Sequence, residues 1–192
     1  MITNITSTPH SVSNSATTNP WQLLLENMGS YIQDLPSSAS SLKGLLEGMW
    51  SFAFVGPGSP FGTAFAKLQD DFNAGNYSAL ESDYQTLCNT PPPVLTPSEV
   101  IVSTMQELQI LQQTITENPT PSQKEEIDGL EEGMGVISGA YSADLPSKFN
   151  ADSCSVFAAA MNAYDGANPV TPAIYQNFLN QIQNLLNDLT ST

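Results

Sequence analysis

Two short segments of this chain carry an unusually complete signal for the start of a helix. Residues 96–99 (Thr-Pro-Ser-Glu) and 120–123 (Thr-Pro-Ser-Gln) each place threonine at the N-cap, proline at the first helical position and Glu or Gln three residues after the cap. The cap and the third residue satisfy each other's backbone N–H groups, and proline has no N–H that needs a partner there. The sequence therefore predicts that helices start at both prolines. An Asn-Pro pair at 19–20 and a Thr-Pro pair at 171–172 predict two more starts, near Trp21 and Ala173.

Apolar residues follow these starts at steps of three and four, which is the spacing of an amphipathic helix. Strand-like alternation is nowhere sustained. These features predict an all-α fold, a helical bundle of seven or eight helices. The clearest stripes are Trp21, Leu24, Leu25, Met28, Ile32 and Leu35; Ile101, Met105, Leu108, Leu111 and Ile115; and Ile174, Phe178, Ile182, Leu185 and Leu189. Further helices are expected near 42–55, 63–74, 78–87 and 153–164, and the helix that starts at Pro121 is expected to continue over 123–141. The expected core includes Trp21, Leu25, Met49, Phe72, Met105, Leu108, Met134, Phe157 and Phe178.

The chain also contains an internal repeat. Residues 44–49 (Gly-Leu-Leu-Glu-Gly-Met) recur as 129–134 (Gly-Leu-Glu-Glu-Gly-Met) with five of six positions identical, at an offset of 133 − 48 = 85 residues. The Phe-Asn-Ala of 72–74 recurs at 149–151, at an offset of 149 − 72 = 77. Because the order of the blocks is preserved, we predict two related three-helix units followed by a terminal helix. The predicted single domain covers residues 20–192, with units at about 20–93 and 94–170 and the terminal helix at 171–190.

Glycines lie four residues apart inside the repeated segments. Gly44 and Gly48 of the first half match Gly129 and Gly133 of the second. Each glycine in a helix interior costs about 1 kcal/mol relative to alanine, so these positions must serve a close approach. Small residues at this spacing allow two helix backbones to meet, within a chain or with a partner's helix. The occurrence in both halves favours a crossing within the chain, and a third pair at 135 and 139 has the same spacing.

The charge balance excludes several classes of partner. The chain has 192 residues with 19 Asp and Glu against four Lys, no Arg and a formal net charge of −15. Without arginine it lacks bidentate phosphate clamps, and without a basic patch it cannot neutralise the phosphates of nucleic acid or of an anionic membrane. We therefore expect no nucleic-acid partner. Charged residues make up only 12% of the chain, so Ser, Thr, Asn and Gln must form much of its surface.

The residue inventory argues against an enzyme. The single histidine, His10, lies in a polar N-terminal segment, which leaves no base for a Ser-His-Asp or Cys-His arrangement. Residues 70–81 match a calcium-binding EF-hand loop at positions 1, 6 and 12, but Phe72 and Ala74 stand where oxygen ligands are needed. We expect no catalytic residue, no cofactor and no metal site. Cys88 and Cys154 are interpreted as small buried hydrophobes or, outside the cytosol, as a disulfide pair.

The beginning of the chain differs in composition from the rest. Residues 1–20 contain five Thr, four Ser and three Asn, and no Leu, Lys, Arg, Asp or Glu. This composition predicts a disordered arm over residues 1–19. The arm has neither the basic region nor the apolar core of a Sec signal peptide. No run of eighteen apolar residues that could span a membrane occurs in the sequence, so we expect no direct membrane span.

The arm resembles the uncleaved N-terminal signals of bacterial type III secretion substrates, which are similarly rich in Ser, Thr, Asn, Ile and Pro and poor in charge and Leu. The resemblance covers about a tenth of the chain and is one of composition, without a fixed motif. It implies a substrate of a Gram-negative secretion system that is secreted or extracellular by a non-Sec route. An ordinary flexible terminus is the alternative interpretation.

Two segments are candidates for binding a protein partner. The segment from 50 to 61 holds four of the chain's sixteen aromatic residues beside a Gly- and Pro-rich loop, and the C-terminal helix combines an apolar stripe with a face of Asn and Gln. Exposed aromatic clusters commonly anchor partners, and the stripe has the spacing of a coiled coil. Packing into the protein's own core is the alternative for both segments. The candidate residues are Trp50, Phe54, Phe61, Phe178, Ile182, Leu185 and Leu189.

Together these features predict a secreted, non-enzymatic protein that acts by protein–protein binding or self-assembly. It would serve as an effector or as an extracellular tip or filament-type component. The alternative is an intracellular acidic binding module, such as an export chaperone or adaptor, because a strongly negative protein attracts basic partners.

Overall fold

The computed structural model describes residues 19–54 and 58–191, and all regular structure in these ranges is helical. Eight α-helices follow one another, with a 3₁₀ turn at Ser142–Asp144, and no strand occurs in the described ranges. The prediction of an all-α bundle of seven or eight helices is confirmed. The helices are α1 (Pro20–Gln33), α2 (Ala39–Ala53), α3 (Pro60–Asn73), α4 (Tyr77–Cys88), α5 (Pro97–Thr114), α6 (Pro121–Ala140), α7 (Ala151–Gly166) and α8 (Pro172–Thr190). The predicted arm lies outside the described residues, apart from Asn19.

All four predicted helix starts are present. Thr96 and Thr120 form complete capping boxes at the starts of α5 and α6. Asn19 and Thr171 cap α1 and α8 with their side chains, and a proline follows each cap. A fifth start of this kind was not expected: Ser59 caps α3, in a segment that the sequence indicates as a loop. A capping side chain followed by proline therefore marks the start of five of the eight described helices, and Asn150 caps α7 without a proline.

The buried residues form one hydrophobic cluster to which all eight helices contribute. Seven of the nine expected core residues are buried there. The other two, Leu25 and Met105, are only partly buried and pack against the edge of the cluster. The core thus joins the two halves of the chain.

The most extensive contact between helices joins α2 and α6. Methyl groups placed on Gly44 and Gly48 would overlap the α6 backbone, and methyl groups on Gly129 and Gly133 would overlap the α2 backbone. For Gly133, the added carbon would lie 2.8 Å from the carbonyl carbon of Gly48. The crossing therefore requires glycine, and the predicted role of these four glycines inside the chain is confirmed.

The two halves meet in this crossing as approximate two-fold equivalents. Gly44 lies against Leu130, and its counterpart Gly129 lies against Leu45. Leu130 is the counterpart of Leu45, since 130 − 45 = 85 is the offset of the sequence repeat. The glycine of each half therefore contacts the same leucine of the repeat, in the other half. Gly44 faces the backbone nitrogen of Leu130, and Gly48, one turn later, faces its carbonyl oxygen, so the two helices run in the same direction. The sequence repeat thus forms a parallel, symmetric helix pair.

The halves differ after this crossing. The first half continues with the hairpin α3–α4, whereas residues 141–150 form the 3₁₀ turn and a loop. Leu145, which precedes Pro146, is extended (φ −85°, ψ 154°), as residues before proline usually are, and this conformation ends helical continuation. The second half therefore has no counterpart of α3, so the predicted first unit (20–93) contains four helices rather than three, while the second (94–170) contains the expected three. A groove is open beside the end of α6.

Gly48→Ala should lower the free energy of unfolding by about 3 kcal/mol or more, because the methyl group would overlap the Leu130 backbone in a crossing that has no room to relax. Gly139→Ala is the matched control in α6. Nothing lies within 4 Å of its added carbon, so it should be neutral or stabilise by up to about 1 kcal/mol. Urea unfolding followed by circular dichroism compares the two variants, and equal stabilities would contradict the crossing.

Candidate functional site

The end of α2 presents two aromatic side chains at the surface. Trp50 and Phe54 are 38% and 39% exposed, and their ring centroids lie 4.1 Å apart. Phe65 of α3, which is buried, supports the two rings at centroid distances of 6.2 and 6.3 Å. Val102 of α5 is also exposed and borders the same depression as Phe54. We call Trp50, Phe54 and Val102 the aromatic patch.

Five of the predicted partner-binding residues belong instead to the core. Phe61 is fully buried in edge-to-face contact with Trp21, at a centroid distance of 5.0 Å. The apolar stripe of α8 faces inward because this helix packs onto α5 and α7. Its residue Phe178 contacts the rings of Phe157 and Tyr164. The residues corrected from partner-binding candidates to core residues are Phe61, Phe178, Ile182, Leu185 and Leu189.

A buried carboxylate holds the part of α2 that carries the patch. Glu107 of α5 is fully buried, and its Oε1 accepts a hydrogen bond of 2.9 Å from the backbone N–H of Ser51. Ser103, one turn earlier in α5, donates a hydrogen bond of 3.1 Å to the carbonyl of Ser51. The second carboxylate oxygen of Glu107 has no hydrogen-bond partner among the described residues. Both backbone groups of Ser51, its N–H and its C=O, are thus hydrogen-bonded to side chains of α5.

Two carboxyl groups near the α2–α6 pair have strongly raised pKa values. Burial raises the pKa of Glu107 to about 7, against the lowering effect of the hydrogen bonds from Ser51 and with a further rise from Glu47. Burial also raises the pKa of Asp128 to about 6, and the negative charge of Asp165 adds to it. Both groups therefore hold a proton more tightly in the folded chain than in the unfolded chain.

A second surface feature is the groove beside the end of α6, with a volume of about 790 Å³. The 142–151 segment, α7 and α8 form its other sides. Gly135 and Gly139 line it, so this third glycine pair, unlike the other two, makes no backbone contact with another helix. Cys154, which is half-buried, also faces the groove. The apolar walls include Met134, Leu145, Phe149, Phe157, Ala158 and Leu185.

The structure also places the cysteines and the EF-hand-like segment. Both cysteines are free thiols, and Cys88 is exposed rather than buried. Residues 70–81 form the end of α3, a turn at Gly75 with a φ of 70°, and the start of α4. Over residues 19–54 and 58–191, no three His, Cys, Asp or Glu side chains come together in a way that could hold a metal ion. In the same ranges no helix combines the length and hydropathy that crossing a membrane requires.

No family model, curated protein or solved structure matches this chain. Sequence reasoning found Trp50 and Phe54 but missed Glu107 and the groove. A signal for Glu107 exists, since it stands four residues before Leu111 and three after Thr104, on the buried face of α5. The groove has no such local signal, because it is formed by four segments that meet only in the folded chain.

The protein should become more stable as the pH falls from 8 to 5. The folded pKa of Glu107 lies above its ordinary value of 4.5, so its contribution to stability is complete below pH 4.5 and is lost as the pH rises through about 7. A shift of this size corresponds to about 3 kcal/mol in the free energy of unfolding. Urea denaturation at pH 5, 6, 7 and 8 measures the change.

Glu107→Gln should reduce this pH dependence, because the amide cannot take up the proton, and should leave the smaller part that comes from the raised pKa values of Asp128 and Glu131. Glu117→Gln is the matched control, since it removes the same charge from an exposed position. It should leave the pH dependence as it is in the unmodified protein. A Glu107→Gln protein with the full pH dependence would show that other carboxyl groups carry it.

Proposed function

We propose that this protein is a secreted, non-enzymatic protein that binds another protein through the aromatic patch. The observation that carries the proposal is the pair of large aromatic rings, Trp50 and Phe54, exposed side by side at the end of α2. Tryptophan and other aromatic residues are typical anchors of protein interfaces, where they supply much of the binding free energy. Single exposed apolar residues are common on protein surfaces, whereas these two rings lie side by side and form one contiguous surface.

The patch is also held rigidly, which favours binding. The glycine crossing holds α2 against α6, and Glu107 and Ser103 hold Ser51, which lies between the two patch aromatics in the sequence. Phe65 supports the rings from inside. A preorganised surface loses little conformational entropy when a partner binds. The patch therefore suits recognition without a change of fold.

Export of the protein is the second part of this proposal. Its support is the composition of residues 1–19, which resembles type III secretion signals. A secreted effector, or an extracellular tip or filament-type component, would combine such a signal with a folded binding domain. The arm and the patch are separate in the sequence, so export and binding can be tested independently.

An acidic adaptor or export chaperone inside the cell remains the second candidate, and the charge distribution favours it. Lys43 forms an ion pair with Glu126 at 2.7 Å, and Lys67 forms one with Asp83 at 2.6 Å. Lys124 donates hydrogen bonds to backbone carbonyl groups. The excess negative charge of the chain is therefore left for a basic partner. Such binding would weaken strongly with salt, whereas binding through the aromatic patch would not.

Photo-crosslinking tests the patch. Benzoylphenylalanine in place of Phe54 should yield a discrete crosslinked product in the producing culture, and the same group in place of Tyr77, an aromatic residue 40% exposed on α4, should not. Trp50→Ala should remove the product. The yield should change less than about threefold between 50 and 500 mM salt, because two aromatic rings form the centre of the contact.

Two results of this experiment would count against the patch. The first is the absence of a product at position 54, and the second is an equal product at position 77. A product that is lost above a few hundred millimolar salt would favour the acidic adaptor instead.

Deletion of residues 2–18, which leaves the Asn19 cap of α1 in place, should abolish appearance of the protein in the culture medium of a secretion-competent strain, because the deletion removes the proposed signal. Trp50→Ala should be exported normally, since the patch plays no part in export. Immunoblots of medium and cell fractions, with a cytosolic marker for lysis, measure both. Unchanged export of the deletion variant would remove the type III proposal and leave the binding proposal standing.

A further inference from the structure

The repeat places the aromatic patch and the groove at equivalent positions of the two halves. With the offset of 85, Trp50 corresponds to Gly135 and Phe54 to Gly139. The two aromatic residues are exposed, whereas the two glycines line the groove. A carbon added to Gly139 would meet no atom within 4 Å. One half of the molecule therefore carries an aromatic projection where the other half has a hollow.

The groove contains an acceptor without a partner. The carboxylate of Glu131 lies over Gly135, with its Oε1 3.2 Å from where a Cβ would stand, and lines the groove. No hydrogen bond or ion pair to this carboxylate occurs within the described part of the chain. Burial raises the pKa of Glu131, and the charges of Asp128 and Glu132 raise it further. Glu131 is half-buried, so its carboxylate can accept a hydrogen bond from a donor that enters the groove.

The patch supplies a matching donor and a complementary charge. The indole N–H of Trp50 is a donor that requires an acceptor when it becomes buried. Glu99 borders the depression beside Phe54 at the edge of the patch. Lys148 is exposed in the loop of the groove, and no ion pair is formed by it with any described residue. The patch and the groove thus carry complementary groups, a hydrogen-bond donor and an acceptor at the centre and opposite charges at the edge.

We propose that the groove receives the aromatic patch of a second copy of this chain. This inference rests on the proposed function, since it names the partner of the patch. Trp50 of one copy donates its indole N–H to Glu131 of the next, and Glu99 faces Lys148. The contact joins two different surfaces, so each bound copy still has one free patch or one free groove. Association therefore continues head to tail, into a ring or a filament.

Disulfide formation tests the docking directly, because Cys154 faces the groove. In a Cys88→Ser background, Phe54→Cys should form disulfide-linked dimers and longer chains on mild oxidation, with residue 54 of one copy joined to Cys154 of another. Tyr77→Cys in the same background should form at least tenfold less. Non-reducing gels and peptide mass spectrometry identify the linked residues. An equal yield for the two variants, or linkage of 54 to 54 alone, would overturn the proposal.

Mixing of two variants provides an independent test. Trp50→Ala removes the projection, and Gly139→Leu fills the hollow, so each variant alone should sediment as a monomer. An equimolar mixture should form a dimer and nothing larger, because only one intact patch can meet one intact groove. Gly166→Leu is the control for the second variant, since this glycine of α7 also has open space around it, and it should assemble like the unmodified protein. Circular dichroism verifies that every variant is folded.

The outcomes separate this inference from the proposed function. If the unmodified protein is a monomer and no 54–154 disulfide forms, the second copy is not the partner, although a crosslink from position 54 to a different protein would still support the patch. If the mixture of variants fails to associate while the unmodified protein assembles, the assembly uses another contact and the inference is wrong. Binding of a small molecule or a different protein in the groove, with no self-association, would overturn it as well.

Discussion

The contact between the backbones of α2 and α6 determines where the other helices of the first and second halves can lie. Because glycines occupy the crossing, the separation of the two helices is set by main-chain atoms and not by adaptable side chains. The first helix of each half, α1 and α5, packs against both members of the pair. The core is therefore arranged around the crossing, and a change that separates α2 from α6 also separates the helices that lie across them.

The same arrangement explains why the end of α2 can present aromatic residues without losing its shape. A helix end that carries exposed rings gains little from burial and frays unless other contacts hold it. Here α5 supplies these contacts through the buried pair Ser103 and Glu107. A carboxylate is an expensive group to bury for this purpose. Its high pKa reduces the cost, because a protonated carboxyl group can occupy the site in place of a charged one.

Helix starts and the glycine crossing could be predicted from the sequence because their causes are local or repeated. Thr96 and Thr120 cap helices through residues three positions away, and the glycine pairs occur in both halves. The direction in which α8 faces could not be predicted in this way. Its stripe is equally suited to a partner or to α5 and α7, and only the folded chain shows which surface covers it. The groove likewise depends on the loop that follows Leu145, whose extended backbone makes room beside α6.

A parallel, two-fold symmetric crossing within one chain has the geometry of a homodimer whose subunits have been joined end to end. A chain of half this length would meet a copy of itself through the same glycines, and its stability would depend on its concentration. Joining the halves makes the encounter intramolecular, with an effective concentration that a covalent linker keeps high. It also releases the two halves from the requirement to be identical. Equivalent positions, such as Phe54 and Gly139, can then diverge into different surfaces while the glycines between the helices stay the same.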